Sequence, residues 1–473
     1  MSTSIGAVLL EGAASDARHL TFDHGSQGSR AVVRTAKVAV SWAIRAIVLG
    51  VGGIIIGIWV HGGGVTGISS LAGLLISAGR LTGLAGSYLL VLQLLALARL
   101  PFLQWAIGFD RLVIIHKLNG KMAVALIAAH VVMITAGYAL MSKVSMWAQF
   151  LRFLTAYKGM VAATVATSFI LLVVGTSIFI VKRRLRYESW YLVHLLAYSA
   201  VILAWFHQIP TGMVFLGNPW TAVFWTAIYI LSLSLVVIFR FVQPVVRCLI
   251  HQMKVEEVVE EAPGVVSIRV TGRHLEYLNA RAGQSFQWRF LDRKRWWESH
   301  PFSLSEAPDG KSFRITVKAL GDFSRNAGFI RPGTRVVAEG PFGSFTTDEA
   351  RKNRFALIAG GIGITPIRAL LQELRHDVVL IYRASSDEDL IFLQELERLA
   401  RTRGSRLFFL KGNRHEAVCR GYLSPEHLRE LLPDIRDRDV YVCGPSSLMS
   451  LVGDSLRKLR VPEEQIHSDE FNF

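Results

Sequence analysis

Cysteine is scarce in this chain: three residues in 473, Cys248, Cys419 and Cys443. None stands at metal-ligand spacing from another, which argues against a built-in iron–sulfur cluster, a structural zinc or a disulfide framework. Acid is short as well. Lysine and arginine number 52 against 36 aspartates and glutamates, a formal net charge of +16. No basic region interleaved with aromatics stands out, so nucleic acid is not the expected partner. Anionic lipid head groups and polyanionic cofactors are. The first 30 residues lack a clear cleavage site, and 1–37 reads as a mobile tail rather than a leader.

Apolar residues, in contrast, are abundant: 51% of the chain, concentrated in 38–241. Six spans of membrane-crossing length are countable, at 38–60, 81–98, 112–139, 160–181, 188–208 and 219–241. Residues 61–79, which open His61-Gly62-Gly63-Gly64, are expected to be a loop or re-entrant turn. Ten lysines and arginines fall on the side of the amino terminus and four on the other, Arg80, Lys143, Arg152 and Lys158. The positive-inside rule then puts the amino terminus, and everything after the sixth span, in the cytoplasm of a multi-pass plasma-membrane protein.

Within the spans, two histidine pairs stand out: His116 with His130, and His194 with His207. The separations, 14 and 13 residues, correspond to about 21 and 20 Å of helix, which fits a hydrocarbon layer about 30 Å thick. One span lies between the two pairs, so their helices run in the same direction and the histidines share two levels. Ionisable groups buried in lipid are costly and mark function. Four at matched depths predict two bis-imidazole clamps, one above the other, each holding a haem with no open coordination position. One step is awkward. At about 100° per residue, 14 residues return within about 40° of the starting face, but 13 land about 140° away. Either the fifth span is distorted or its imidazoles leave on different sides. Arg80 is expected at the outer end of the second span, level with His130 and His207. It either snorkels to the interface or pairs with a haem propionate or an anionic acceptor such as superoxide.

After Pro244 the pattern changes. Alternating segments such as Val265–Val270 and Phe313–Lys318 predict an antiparallel β-barrel over 252–347. Apolar strands alternating with helices from Phe355 predict a parallel α/β domain over 353–473. In the barrel, His300-Pro301-Phe302-Ser303 closes one strand, and the run from Lys318 through Gly321 to Ser324 follows another. Ser303, Lys318 and Ser324 are candidate hydrogen-bond partners for a flavin ring and its pyrophosphate. In the α/β domain, Gly360-Gly361-Ile362-Gly363-Ile364-Thr365-Pro366 follows a strand and opens a helix. Its glycines admit a pyrophosphate at the helix N-terminus, with Thr365 as the cap, although the loop lacks GxGxxG spacing. Cys443-Gly444-Pro445 ends a further strand where a nicotinamide fits. Arg383 either meets a 2′-phosphate, favouring NADPH, or is simply solvated. The terminal aromatics Phe471 and Phe473 are expected to dock, one of them over the flavin.

From about residue 40 the chain resembles the ferric reductase and NADPH oxidase superfamily, and its C-terminal half is similar to the ferredoxin–NADP reductase fold. The histidine pairs, His-Pro-Phe-Ser, the Gly-Gly-Ile-Gly-Ile-Thr-Pro loop, Cys-Gly-Pro and the terminal aromatic carry that resemblance, in that order. It implies a six-helix transmembrane haem-binding bundle over 38–245, an FAD domain over 252–347 and an NAD(P)H domain over 353–473. It implies FAD, NADPH and two b-type haems as cofactors, with His116 and His194 on the inner haem and His130 and His207 on the outer. By the same resemblance, His300 to Ser303 and Ser324 match flavin positions, and Gly360 to Pro366 with Cys443 to Pro445 match nicotinamide-nucleotide positions. Phe471 matches the aromatic that stacks on the flavin better than Phe473, and Arg80 matches an arginine tied to oxygen reduction. No calcium-binding loop is evident, so constitutive activity is expected. The expected acceptor is oxygen, giving superoxide. A ferric chelate on the same electron path is the alternative, and a membrane-anchored flavoprotein reductase serving a soluble partner is the second.

Overall fold

In lipid a backbone satisfies its own polar groups as a helix, and the apolar half of the chain is built of long helices joined by short turns among the described residues. The computed structural model describes residues 27–181, 187–375, 377–412 and 421–470. Six helices among them are long and apolar enough to cross a membrane. They are α1 (Gln27–Trp59), α2 (Leu71–Ala96), α3 (Phe109–Ser142), α4 (Met160–Val181), α5 (Tyr187–Thr211) and α6 (Pro219–Val236). The last continues through a π-helical turn, Val237–Val242, into Gln243–His251.

The second span departs from expectation. Ser70 accepts a hydrogen bond from the Gly73 amide and caps a helix that starts at Leu71, so 71–79 is helix and not loop. The chain breaks earlier, in a π-helical turn at Val60–Gly64 where Gly63 takes φ +81°. Arg80 therefore sits in the body of α2, about 14 Å along from its first residue, and not at a helix end. The awkward step on α5 resolves the other way. Tyr187–Thr211 is one continuous α-helix with Pro210 in its last turn, so His194 and His207 leave on different sides.

Helices α2 and α3 pack closely because small residues face large ones. A Cβ on Gly79 would meet Ile134 at 2.9 Å, and one on Gly86 would meet Ile127 at 3.0 Å; on α3, a Cβ on Gly137 would meet Ile76 at 2.6 Å. This is the small-residue mode of helix association that lipid favours.

The chain divides into two compact units, Ala39–Ile250 and the part from His251 onward together with the residues before Ala39. The second unit opens with β1 (Lys254–Ala262), β2 (Val265–Thr271), β3 (Ser285–Phe290), β4 (His300–Ser303), β5 (Ser312–Lys318) and β6 (Val336–Phe342). These form two antiparallel three-stranded sheets, ordered β1-β2-β5 and β4-β3-β6. Isolated bridges, Lys254–Arg335 and Leu304–Ile315, join them. Alternation buries Phe286, Trp288 and Phe290 of β3 against Phe313, Ile315 and Val317 of β5.

A parallel five-stranded sheet follows. Its strands are β7 (Phe355–Gly360), β8 (Val378–Ala384), β9 (Arg406–Lys411), β10 (Asp439–Gly444) and β11 (Ile466–Glu470), in the order β11-β10-β7-β8-β9. Strand β11 closes one edge of the sheet, beside β10. The helices that matter below are α7 (Ile364–Glu373), α8 (Leu393–Arg403) and α9 (Ser446–Lys458).

Within this unit a buried charge cluster ties the antiparallel lobe to the α/β lobe. Arg314 of β5 donates from Nη1 and Nη2 to Glu395 of α8, at 3.0 and 2.9 Å. Arg368 of α7 donates from Nε to the same carboxylate at 2.8 Å and from Nη1 to the Ser305 carbonyl at 3.0 Å. Both guanidiniums also lie near the Phe392 ring.

Candidate functional site

The two antiparallel helices α2 and α3 supply matched partners. On α3 the histidines are 130 − 116 = 14 residues apart; on α2 the carbonyls they meet, Gly79 and Gln93, are 93 − 79 = 14 apart. His130 Nδ1 lies 2.7 Å from the Gly79 oxygen, and His116 Nδ1 lies 3.3 Å from the Gln93 oxygen. His207 Nδ1 lies 3.2 Å from the Thr211 hydroxyl, which itself donates to the His207 carbonyl and so accepts from the ring. Three of the four imidazoles thus commit Nδ1 to the protein and keep Nε2 free, the arrangement found in histidines that ligate metals. Among the described residues His194 Nδ1 is buried without a hydrogen-bond partner, and Trp190 lies 4.9 Å from the ring.

Across the bundle, the His116 and His194 ring centres are 6.1 Å apart. A metal–nitrogen bond of about 2 Å places each ring centre about 3 Å from an iron, so ligands on opposite sides of one have centres about 6 Å apart. The fit is direct. Gly83 makes room beside His130: a Cβ on it would stand 2.6 Å from His130 Nδ1.

Arg80 follows the residue whose carbonyl holds His130, and it is half-buried. Among the described residues it has no hydrogen-bond or ion-pair partner. On the next turns a polar hub appears that sequence reasoning missed. Gln208 donates to Ser87 Oγ at 2.8 Å and accepts from Trp225 Nε1 at 2.6 Å and Tyr229 Oη at 3.1 Å. It links α2, α5 and α6 immediately beside His207. An amide, a hydroxyl and an indole within three apolar spans were the available signal.

In the second unit, β4 and the Gly321–Ser324 turn come together. His300 stacks on Phe323 at 4.1 Å between ring centres, with Phe302 at 5.8 Å on the same ring. Pro301 is exposed and Ser303 buried. Ser324 Oγ accepts from the Leu320 and Gly321 amides, at 2.9 and 2.7 Å, and donates to the Gly321 carbonyl, so its hydroxyl serves its own turn. Lys318 Nζ sits 2.9 Å from Asp389 of the α/β lobe, and that ammonium holds the Asp389 carboxyl below the usual range.

The glycine loop and the Cys-Gly-Pro strand end also meet, because β7 and β10 are neighbours with Ala359 opposite Cys443. A Cβ on Gly363 would stand 2.3 Å from the Cys443 carbonyl, and Gly361 takes φ +54° over open space. Thr365 does not cap. The helix starts at Ile364 with Gly363 at the N-cap, and Thr365 Oγ1 donates to the Ile362 carbonyl at 3.0 Å. Pro366 is buried inside the first turn. The Cys443 side chain is buried in the lobe core, and burial, with the charge of Asp469, pushes its thiol well up. It is a neutral thiol out of reach of solvent. Arg383 lies within β8 opposite Gly360 and donates to the Gly412 carbonyl at 3.4 Å. Gly444 approaches Gly360, and Pro445 precedes α9. Phe471 and Phe473 lie outside the described residues.

Residues 82–205 match the ferric reductase like transmembrane component, and residues 357–454 match the oxidoreductase NAD-binding domain. The chain belongs to the fusion of these two families. The reductase module is similar to ferredoxin–NADP reductase B of Sorangium cellulosum, 32% identical over 190 residues, 36% of this chain and 77% of that protein. It is also similar to the flavohemoprotein of Vibrio cholerae, 31% identical over 187 residues, 37% of this chain and 46% of that protein. The FAD/NAD binding domain of a nitric oxide dioxygenase from Vibrio cholerae shares 25% identity over 47% of this chain and 98% of its own, with a TM-score of 0.40. This ferric reductase-like chain spans about half the length of the curated relatives it matches.

Proposed function

We propose that the protein is a transmembrane oxidoreductase that takes electrons from NADPH in the cytoplasm. It delivers them through FAD and two b-type haems to an acceptor outside, most directly oxygen, giving superoxide. The His116–His194 spacing of 6.1 Å carries the reading. When bound, the flavin supplies the change from a two-electron donor to one-electron steps, and the haems supply outer-sphere transfer across the bilayer. The chain's residues do the rest. His116, His130 and His207 offer Nε2 and His194 faces His116, while Gly79, Gln93 and Thr211 fix three of the rings. Gly360, Gly361 and Gly363 leave a cradle without side chains at the opening of α7, suited to a pyrophosphate. His300, Phe302 and the exposed Leu320–Gly321 turn form an aromatic edge suited to a flavin ring.

Arg80 supports oxygen as the acceptor. A half-buried cation without a protein partner, at the level of His130, suits an anion at the outer end of the path. Ferric-chelate reduction by the same path is the second reading, favoured by the family match over 82–205. Superoxide formation and ferric-chelate reduction, measured on the same purified protein and on Arg80→Ala, separate them. Oxygen reduction falling at least tenfold in the variant, with chelate reduction kept, supports the first. Unchanged oxygen reduction removes it.

A further inference from the structure

The loop between β3 and β4 presents two adjacent tryptophans to solvent. Trp296 is 59% exposed and Trp297 42%, although tryptophan is normally among the more buried residues. They close the run Arg293-Lys294-Arg295-Trp296-Trp297, a basic–aromatic stretch that whole-chain composition hides. The loop is braced. Asp292 Oδ1 accepts from the Lys294 and Arg295 amides, at 3.0 and 2.8 Å, and Oδ2 pairs with Arg295 Nε at 2.8 Å. Arg295 Nη1 then donates to the Asn326 carbonyl at 2.7 Å. That bond brings the loop beside the short helix Ala327–Phe329, whose Phe329 is 75% exposed. The acids of the loop are engaged: Asp292 as above, and Glu298 with His300 at 3.3 Å. Arg293 and Lys294 are exposed and have no partner among the described residues.

We propose that this loop is a membrane-surface anchor, with Trp296 and Trp297 seated at the head-group level of an anionic leaflet and Arg293 and Lys294 among its phosphates. Indole rings partition to the interface because the ring is apolar and the N–H stays wet. Each basic residue near an anionic surface adds to the attraction. Trp and Arg also suit a protein interface, but Lys294 in the middle of the run does not, since lysine is depleted there. Only Gln252 and Met253 separate the end of the last apolar helix at His251 from β1 at Lys254, a link of about 11 Å at full extension. The anchor depends on the membrane helices alone and not on the electron path.

The test uses the full chain labelled with 5-fluorotryptophan, in nanodiscs of phosphatidylcholine with and without phosphatidylserine. The 19F signals of Trp296 and Trp297 are assigned by single substitution. With phosphatidylserine, both signals broaden with head-group nitroxide lipid and are shielded from a soluble gadolinium chelate. Arg293→Glu with Lys294→Glu lowers the shielded fraction roughly tenfold or more. Trp288, fully buried in the core, responds to neither agent and reports that each variant is folded. Signals open to gadolinium in both lipid compositions overturn the anchor. So does shielding from both agents, which assigns the tryptophans to a protein surface, and so does shielding that requires added duplex oligonucleotide.

Discussion

Glu395→Gln should loosen the reductase module where its two lobes meet. The carboxylate takes hydrogen bonds from two guanidiniums, Arg314 and Arg368, that come from different lobes and are 7% and 4% exposed. Burial on its own would raise the Glu395 carboxyl, but hydrogen bonds and charge from the two arginines outweigh it and bring it from 4.5 to about 2. A lowering of that size corresponds to about 3 kcal/mol of stability at neutral pH. The side chain is 26% exposed, so screening by solvent leaves about 2 kcal/mol. The amide keeps the shape but leaves two buried cations with only the more distant Glu306, 3.8 and 3.9 Å away, as counter-charge. For a module of this size each kcal/mol moves the midpoint by about 2–4 °C, so flavin release on heating should come about 4–8 °C earlier in the variant. The pH dependence has a fixed sign. A carboxyl whose folded pKa is depressed stabilises above the unfolded pKa and ceases to as pH falls through the folded one. The gap between wild type and variant should therefore be full above about pH 5.5 and shrink as pH falls from 4.5 towards 2. Equal release temperatures at pH 7, or a gap that does not change down to pH 3, would refute the reasoning.

Gly83→Ala should displace His130, because the new Cβ would stand 2.6 Å from a ring nitrogen already held by the Gly79 carbonyl. Haem content then falls from two towards one per chain, read by pyridine haemochrome, since misplaced supporting contacts cost about 10–100-fold in affinity; two tightly held haems in the variant would contradict this. Gln208→Leu should strand Trp225 Nε1, Tyr229 Oη and Ser87 Oγ inside the bundle. The expected loss is about 2–3 kcal/mol, seen as earlier thermal loss of the haem band, and an unchanged transition would count against the hub. Cys443→Ala should keep NADPH oxidation within about twofold, because the thiol is buried and neutral; a loss of a hundredfold or more would show that it reaches the reacting atoms.

Period and spacing made much of this legible. Long apolar runs announce helices whatever their neighbours, and six were countable. Alternation announced the antiparallel strands, and glycine after a buried strand announced the loop that opens α7. The differences have two sources: some residues are taken up by their own turn, and others matter only through a partner on a different element. Arg80 reads as the end of a span because charge interrupts hydropathy, yet Ser70 caps the helix earlier and carries the arginine into its body. Thr365 reads as a cap, but the helix begins one residue before it. Ser324 reads as a ligand donor, and its hydroxyl also closes its own turn. Gly79, Gln93 and Gln208 have no chemistry in isolation; they matter because α2 runs antiparallel to α3 and offers its carbonyls at the same 14-residue interval.

The central claim is that four imidazoles hold two irons, one near each face of the bilayer. The most direct measurement is the haem stoichiometry and low-temperature EPR of the purified full-length protein, with His116→Ala and His207→Ala alongside. The account predicts two low-spin bis-imidazole signals, with the inner one lost in His116→Ala and the outer one in His207→Ala. A single haem, a high-spin five-coordinate signal in the unsubstituted protein, or a protein without a Soret band would contradict it.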